Sequence, residues 1–135
     1  MILQSGVIPY RMKNGEVEVL LITSSSGKRW IIPKGWITPW LTAAESAAKE
    51  AWEEAGIKGL VTEPAIGFYK TRKWGYPCQV EVFLMIVEAE FDDYPEAKLR
   101  GRQWMSLAKA MKQVREADLK LLLEQLDNSL DVMLN

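Results

Sequence analysis

Three glutamates, Glu50, Glu53 and Glu54, crowd the end of an alanine-rich stretch, "AAESAAKEAWEEAGI". Carboxylates packed this closely repel one another, and the chemistry open to them is ligation of a hard cation through oxygen. The chain contains no histidine and one cysteine, Cys78. Those absences exclude Ser–His and Cys–His triads, imidazole bases, thiolate zinc clusters and an internal disulfide. A metal site must then be all oxygen, which selects magnesium, manganese or calcium. Any reaction must run on carboxylates, lysines, hydroxyls or a metal-bound water.

The glutamates need a helix to bring them together. Thr42 and Glu45 have capping-box spacing, and Gly56 is a favoured residue just past a helix end. The pattern predicts a helix over 43–55. At about 100° per residue, Glu53 and Glu54 flank Glu50 on one face, while Ala44, Ala48, Ala51, Trp52 and Ala55 form the opposite, packing face. A solvated acidic face is the plain alternative to a cation site. Against it, carboxylates near a helix C-terminus oppose the macrodipole by about 0.3–1 kcal/mol each. Glu50 and Glu54, four apart, also repel. Only Lys49 is near in sequence to offset them.

The remaining elements must surround that helix. Strands are expected over 7–10 and 17–23, joined by the Asn14-Gly15 hairpin turn, then over 30–32, 65–73, 78–89 and in "RQWMSL". The run "VEVLLIT" is apolar enough for a strand buried on both faces. "PKGWITPWL" reads as a loop, residues 107–126 as helical with a break near Arg115, and 127–135 as a weakly specified tail. An α+β or α/β sandwich follows, in a single domain spanning all 135 residues. Lys28, Arg29 and Lys34, then Lys70, Arg72 and Lys73, then Arg100 and Arg102 would make a basic rim if the sheet gathers them at the acidic helix. Such a rim suits a polyphosphate. A net charge of −1 provides no global attraction for nucleic acid or membrane, and no apolar run reaches membrane-spanning length. The expected location is cytoplasmic.

The stretch from Gly35 to Ile57 resembles the signature of the Nudix hydrolases, G-x5-E-x7-R-E-U-x-E-E-x-G-U with U bulky and aliphatic. Gly35, Glu50, Glu53, Glu54, Gly56 and Ile57 fall in register. The resemblance implies an α/β/α sandwich, a mixed sheet lying between the motif helix and a C-terminal helix. It implies a magnesium-dependent hydrolase, with manganese a possible substitute, that cleaves a pyrophosphate bond in a nucleoside diphosphate linked to another group. It makes Glu50, Glu54 and the Lys34 backbone carbonyl metal ligands and Glu53 the base, with Glu81, Glu88 and Glu90 as later candidates for that base. Gly35, Lys49 and Gly56 take the structural positions of the motif. Leu41, Lys49 and Ala51 depart from it. The first two replace a glutamate and an arginine that commonly pair to brace the loop and helix.

"VLLITSSSGKRWIIPKG", "GFYKTRK" and "LRGRQWMSL" are most similar to the branch that cleaves diphosphoinositol and diadenosine polyphosphates. By that resemblance Ser24, Ser25, Arg29, Lys70, Arg72, Lys73 and Arg100 bind substrate phosphates. A nucleotide-sugar or nucleoside-triphosphate pyrophosphohydrolase and a non-catalytic nucleotide-binding regulator are the alternatives. The partner expected is a small polyphosphate, not nucleic acid or membrane, with monomer and homodimer both open. Trp36, Trp40 and Trp74 admit two readings, contact with a nucleobase or cover for the core. Trp30, Trp104 and Cys78 are expected to pack inside.

Overall fold

Strands with apolar side chains on both faces need cover on both sides, and that decides the architecture. In β1 (Ile2–Lys13), Val7 points to one layer and Ile8 to the other. In β2 (Glu16–Thr23), Leu20 and Ile22 share the layer of Val7, while Val19 and Leu21 share that of Ile8. The structure, a computed structural model, describes residues 1–134, with side chains through residue 128.

The other strands are β3 (Trp30–Ile31), β4 (Lys34–Trp36), β5 (Ile57–Lys73), β6 (Tyr76–Glu90) and β7 (Arg102–Ser106). Together they form a seven-stranded sheet of order β3-β2-β1-β6-β5, with β4 paired to β1 and β7 to β2. The β1–β6 pair is parallel and the rest are antiparallel. Helix α1 (Ala43–Ala55) covers one face through Ala44, Ala47, Ala51 and Ala55, packed with Val7, Leu20, Phe83 and Met85. Side chains this small let the helix axis lie close to the sheet. Helices α2 (Leu107–Gln113) and α3 (Ala117–Leu134) cover the other face with Leu107, Leu119, Leu122 and Leu126. The result is the expected α/β/α sandwich around a mixed sheet. Among the described residues no helix is long and apolar enough to cross a membrane.

The ends of α1 and the Asn14-Gly15 turn fall where local chemistry places them. Four other features differ from the sequence reading. Lys34–Trp36 pairs with Gln4–Gly6 as a strand instead of lying in a loop. Strand β5 begins at Ile57, and register shifts at Lys58/Gly59 and Thr62/Gly67 hide its first half from period-two alternation. Helix α3 continues to Leu134, so the expected tail is helical up to Asn135, which lies outside the described residues. The packing face of α1 is also rotated. Ala47, not Trp52, completes it, and Glu54 is buried at 7% exposure. Trp52 instead packs edge-on to Phe91 at the helix margin.

Candidate active site

The site is built on the C-terminal half of α1. Its N-terminus is fixed by the reciprocal Thr42–Glu45 capping box, and its C-terminus by Gly56 at φ 67° and ψ 36°. A side chain at position 56 would be strained in that left-handed conformation and would overlap the Tyr94 ring. No basic residue occupies the last turn of α1. The segment after β6 supplies what the helix lacks. Phe91 N–H donates to the Gly56 carbonyl at 2.8 Å and Glu96 N–H to the Glu53 carbonyl at 3.0 Å. Arg102 Nη1 donates to the Ala55 carbonyl at 2.8 Å. Donors and a guanidinium thus satisfy carbonyls that would otherwise be orphaned at the negative end of the dipole.

Each glutamate has its own setting. Glu54 Oε1 accepts the Lys34 backbone N–H at 3.1 Å, and Oε2 lies 3.5 Å from Arg100 Nη2. Burial nevertheless pushes its pKa up to about 7, outweighing the Arg100 charge and the Lys34 amide. Glu50 lies against Gly35, where any Cβ would overlap its carboxylate. Its pKa is also raised, by burial first and then by the Glu53 charge. Glu53 Oε1 pairs with Lys49 Nζ at 2.9 Å. Lys49 therefore turns to a motif glutamate, and the loop before the helix is tied down by Ser46, whose Oγ accepts the Thr38 N–H at 2.9 Å.

A cleft of about 250 Å³ opens beside Glu54. Ser24, Ser25, Arg29, Lys34, Arg72, Lys73 and Arg100 line it together with Glu54. Lys70, two residues farther from the β5–β6 hairpin tip, lines a neighbouring depression with Arg72 and Arg115. Several of these cations already have partners. Arg100 donates from Nε to Glu96 at 2.7 Å and from Nη1 to the Thr23 carbonyl at 3.0 Å. Arg29 pairs with Glu116, while its buried Nε has no partner among the described atoms. Lys34 Nζ donates to Gln4 at 3.1 Å, and burial lowers its pKa.

Two carboxylates here escaped the sequence reading. Glu96 lies near enough to raise the pKa of both Glu50 and Glu54. Glu116 lines the cleft from the break between α2 and α3. The only sequence signals were the charged run "EFDDYPEAKLRG" and the break itself, and neither gives a direction. Glu90, in contrast, accepts the indole N–H of Trp104.

The residues fit a hard cation in chemistry. The donors are all oxygen, and like charges crowd a half-buried position. Gly35 leaves space at Glu50, and the buried Ser5 hydroxyl across the ladder from it has no partner among the described atoms. Among the described residues no three acidic side chains converge as a ready ligand set. Glu53 is drawn toward Lys49 and Glu54 toward Lys34 and Arg100.

The fold and its buried acidic helix define an α/β/α domain with a carboxylate centre beside a basic cleft. The profile of the NUDIX domain matches residues 3–125, and the chain belongs to the Nudix hydrolase family. It is 30% identical to Nudix hydrolase 12, mitochondrial, of Arabidopsis thaliana, over 91% of this chain and 71% of that protein. It is also 30% identical to diphosphoinositol polyphosphate phosphohydrolase 2 of Rattus norvegicus, over 72% of this chain and 54% of that one. An Ap4A hydrolase of C. elegans in a binary complex superposes with a TM-score of 0.85 at 24% identity, covering 97% and 98% of the two chains.

Proposed function

We propose that this Nudix hydrolase is a magnesium-dependent pyrophosphohydrolase that cleaves a nucleoside diphosphate linked to another moiety. Dinucleoside polyphosphates and diphosphoinositol polyphosphates are the favoured substrates. The observation that carries the reading is the shared wall of the cleft, where buried Glu54 meets Ser24, Arg72, Lys73 and Arg100. An acidic group beside cations suits a metal-bridged phosphate chain. The names of the rat and C. elegans relatives support the same substrate classes.

Glu50, Glu54 and the Lys34 carbonyl would hold the ion, with manganese an acceptable substitute. When bound, the ion polarises the phosphate and lowers the pKa of a coordinated water. Glu53 takes the proton as water oxygen bonds to phosphorus, and the bridging P–O bond breaks toward the leaving phosphate. Lys49 orients Glu53 through their 2.9 Å contact. Glu96 is the second candidate for the base, because it reaches the same cluster from the return loop. A panel of polyphosphates assayed with magnesium, with products identified by mass, tests the reading. Turnover undiminished in excess chelator would sink it.

A further inference from the structure

Two hairpins in this protein use the same tight turn, with positive φ at both central residues. In the first they are Asn14 and Gly15, at φ 53° and 80°. In the second they are Trp74 and Gly75, at φ 52° and 79°. Asparagine and glycine adopt this left-handed conformation readily, whereas a bulky side chain there is strained. Strain of this kind is a sign of function when the side chain has no packing role. Trp74 has none to speak of, being 78% exposed, yet it lines the cleft beside Arg72, Lys73 and Arg100.

A second indole stands nearby. Trp36, at the end of β4, is 49% exposed. Lys73 Nζ lies 5.0 Å from the Trp74 ring centre and 5.9 Å from that of Trp36. One ammonium thus lies over both rings, so that Trp36 stands beside the cleft residue Lys73 and Trp74 on the cleft wall itself. At these exposures neither indole is a core residue, and both present ring surface to solvent. Trp40, at 88% exposure, has no such neighbour among the contacts described.

We propose that Trp36 and Trp74 form a stacking platform for a nucleobase, selecting dinucleoside polyphosphates over diphosphoinositol compounds. The proposal rests on the polyphosphate reading above. A phosphate chain held by Arg72 and Lys73 places its next group at the indoles. A purine presents a flat π face to them. An inositol ring is saturated and ringed with phosphates, so it has no face to stack and gains only from the cations.

The test compares Trp74→Asn, which keeps the left-handed turn as Asn14 does, and Trp36→Ala with the wild-type protein. The readout is the ratio of kcat/KM for diadenosine tetraphosphate to that for diphosphoinositol pentakisphosphate. Each variant is expected to lower that ratio about tenfold, the scale of losing one aromatic–base stack. A ratio within twofold of wild type in both variants overturns the platform. Calorimetric binding of diadenosine tetraphosphate gives a readout that does not need turnover. If the wild type hydrolyses neither compound, the catalytic reading fails. Binding weakened about tenfold in Trp74→Asn still supports the platform, and unchanged or absent wild-type binding overturns it.

Discussion

The backbone amide of Lys34 and the carboxylate of Glu54 meet at 3.1 Å, joining β4 to the last turn of α1. This contact spans 20 residues of sequence, across the loop before α1 and most of the helix itself. It puts Glu54 on the buried side of α1, with Arg100 at its other oxygen. Glu54→Gln keeps an acceptor for the amide but removes the charge. We expect it to weaken magnesium binding and turnover together, read from magnesium titrations of activity. Glu53→Gln should leave metal affinity nearly intact and lower turnover about a hundredfold to ten-thousandfold, the range for loss of a general base. Equal small effects at both positions would show that the roles are misassigned.

Gly35→Ala is expected to behave as an active-site variant although it changes no charge. The new Cβ would fall within the Glu50 carboxylate, so either β4 or the glutamate must move. Overpacking of this kind costs about 1–3 kcal/mol. The expected result is a lower Tm and a raised magnesium requirement in the same variant. A drop in Tm with an unchanged magnesium requirement would mean that β4 yields and Glu50 does not.

What could be read from sequence followed the range of the interactions. Thr42, Glu45 and Gly56 act within one turn, so the limits of α1 were legible. The Nudix spacing named the three glutamates. The phase of the helix was not legible, because Ala47 and Trp52 are both apolar and either can complete the alanine face until the sheet chooses between them. Glu96 reaches the cluster through a hydrogen bond from its own amide to the Glu53 carbonyl, and Glu116 through the α2–α3 break. Both placements depend on distant backbone, which no local pattern encodes. Strand β4 was missed for the same reason, since its partner is the start of β1.

Proton and metal should compete for Glu54. Its pKa is about 7 in the folded protein against an ordinary 4.5. A raised carboxyl pKa means that the folded state holds the proton more tightly than the unfolded state. This contribution is therefore present below pH 4.5 and lost as pH rises toward 7. In chelator, Tm should fall across that window. Magnesium should raise Tm more at pH 8 than at pH 5, because at the lower pH it must displace a proton. Thermal melts at both values, with and without magnesium, check this. A larger magnesium shift at pH 5 would contradict it.

Arg100 and Arg72 line one cleft but should fail differently. All three guanidinium nitrogens of Arg100 face protein oxygens, those of Glu96, Thr23 and Glu54. Removing it frees the return loop and leaves Glu54 without its cation. Arg100→Ala should therefore lower kcat on every substrate and lower Tm as well. Arg72 donates to the Gly75 carbonyl at 2.8 Å and otherwise stands at the exposed wall. A charge-assisted contact to a phosphate is worth roughly 1.5–3 kcal/mol, so Arg72→Ala should raise KM about tenfold or more for a long polyphosphate. The effect on a short, singly linked substrate should be smaller, and Tm should hold. Steady-state kinetics on one long and one short substrate, with melts of both variants, separate the two roles. A raised KM in Arg100→Ala, with kcat and Tm unchanged, would place Arg100 on the substrate's phosphates and not on Glu54.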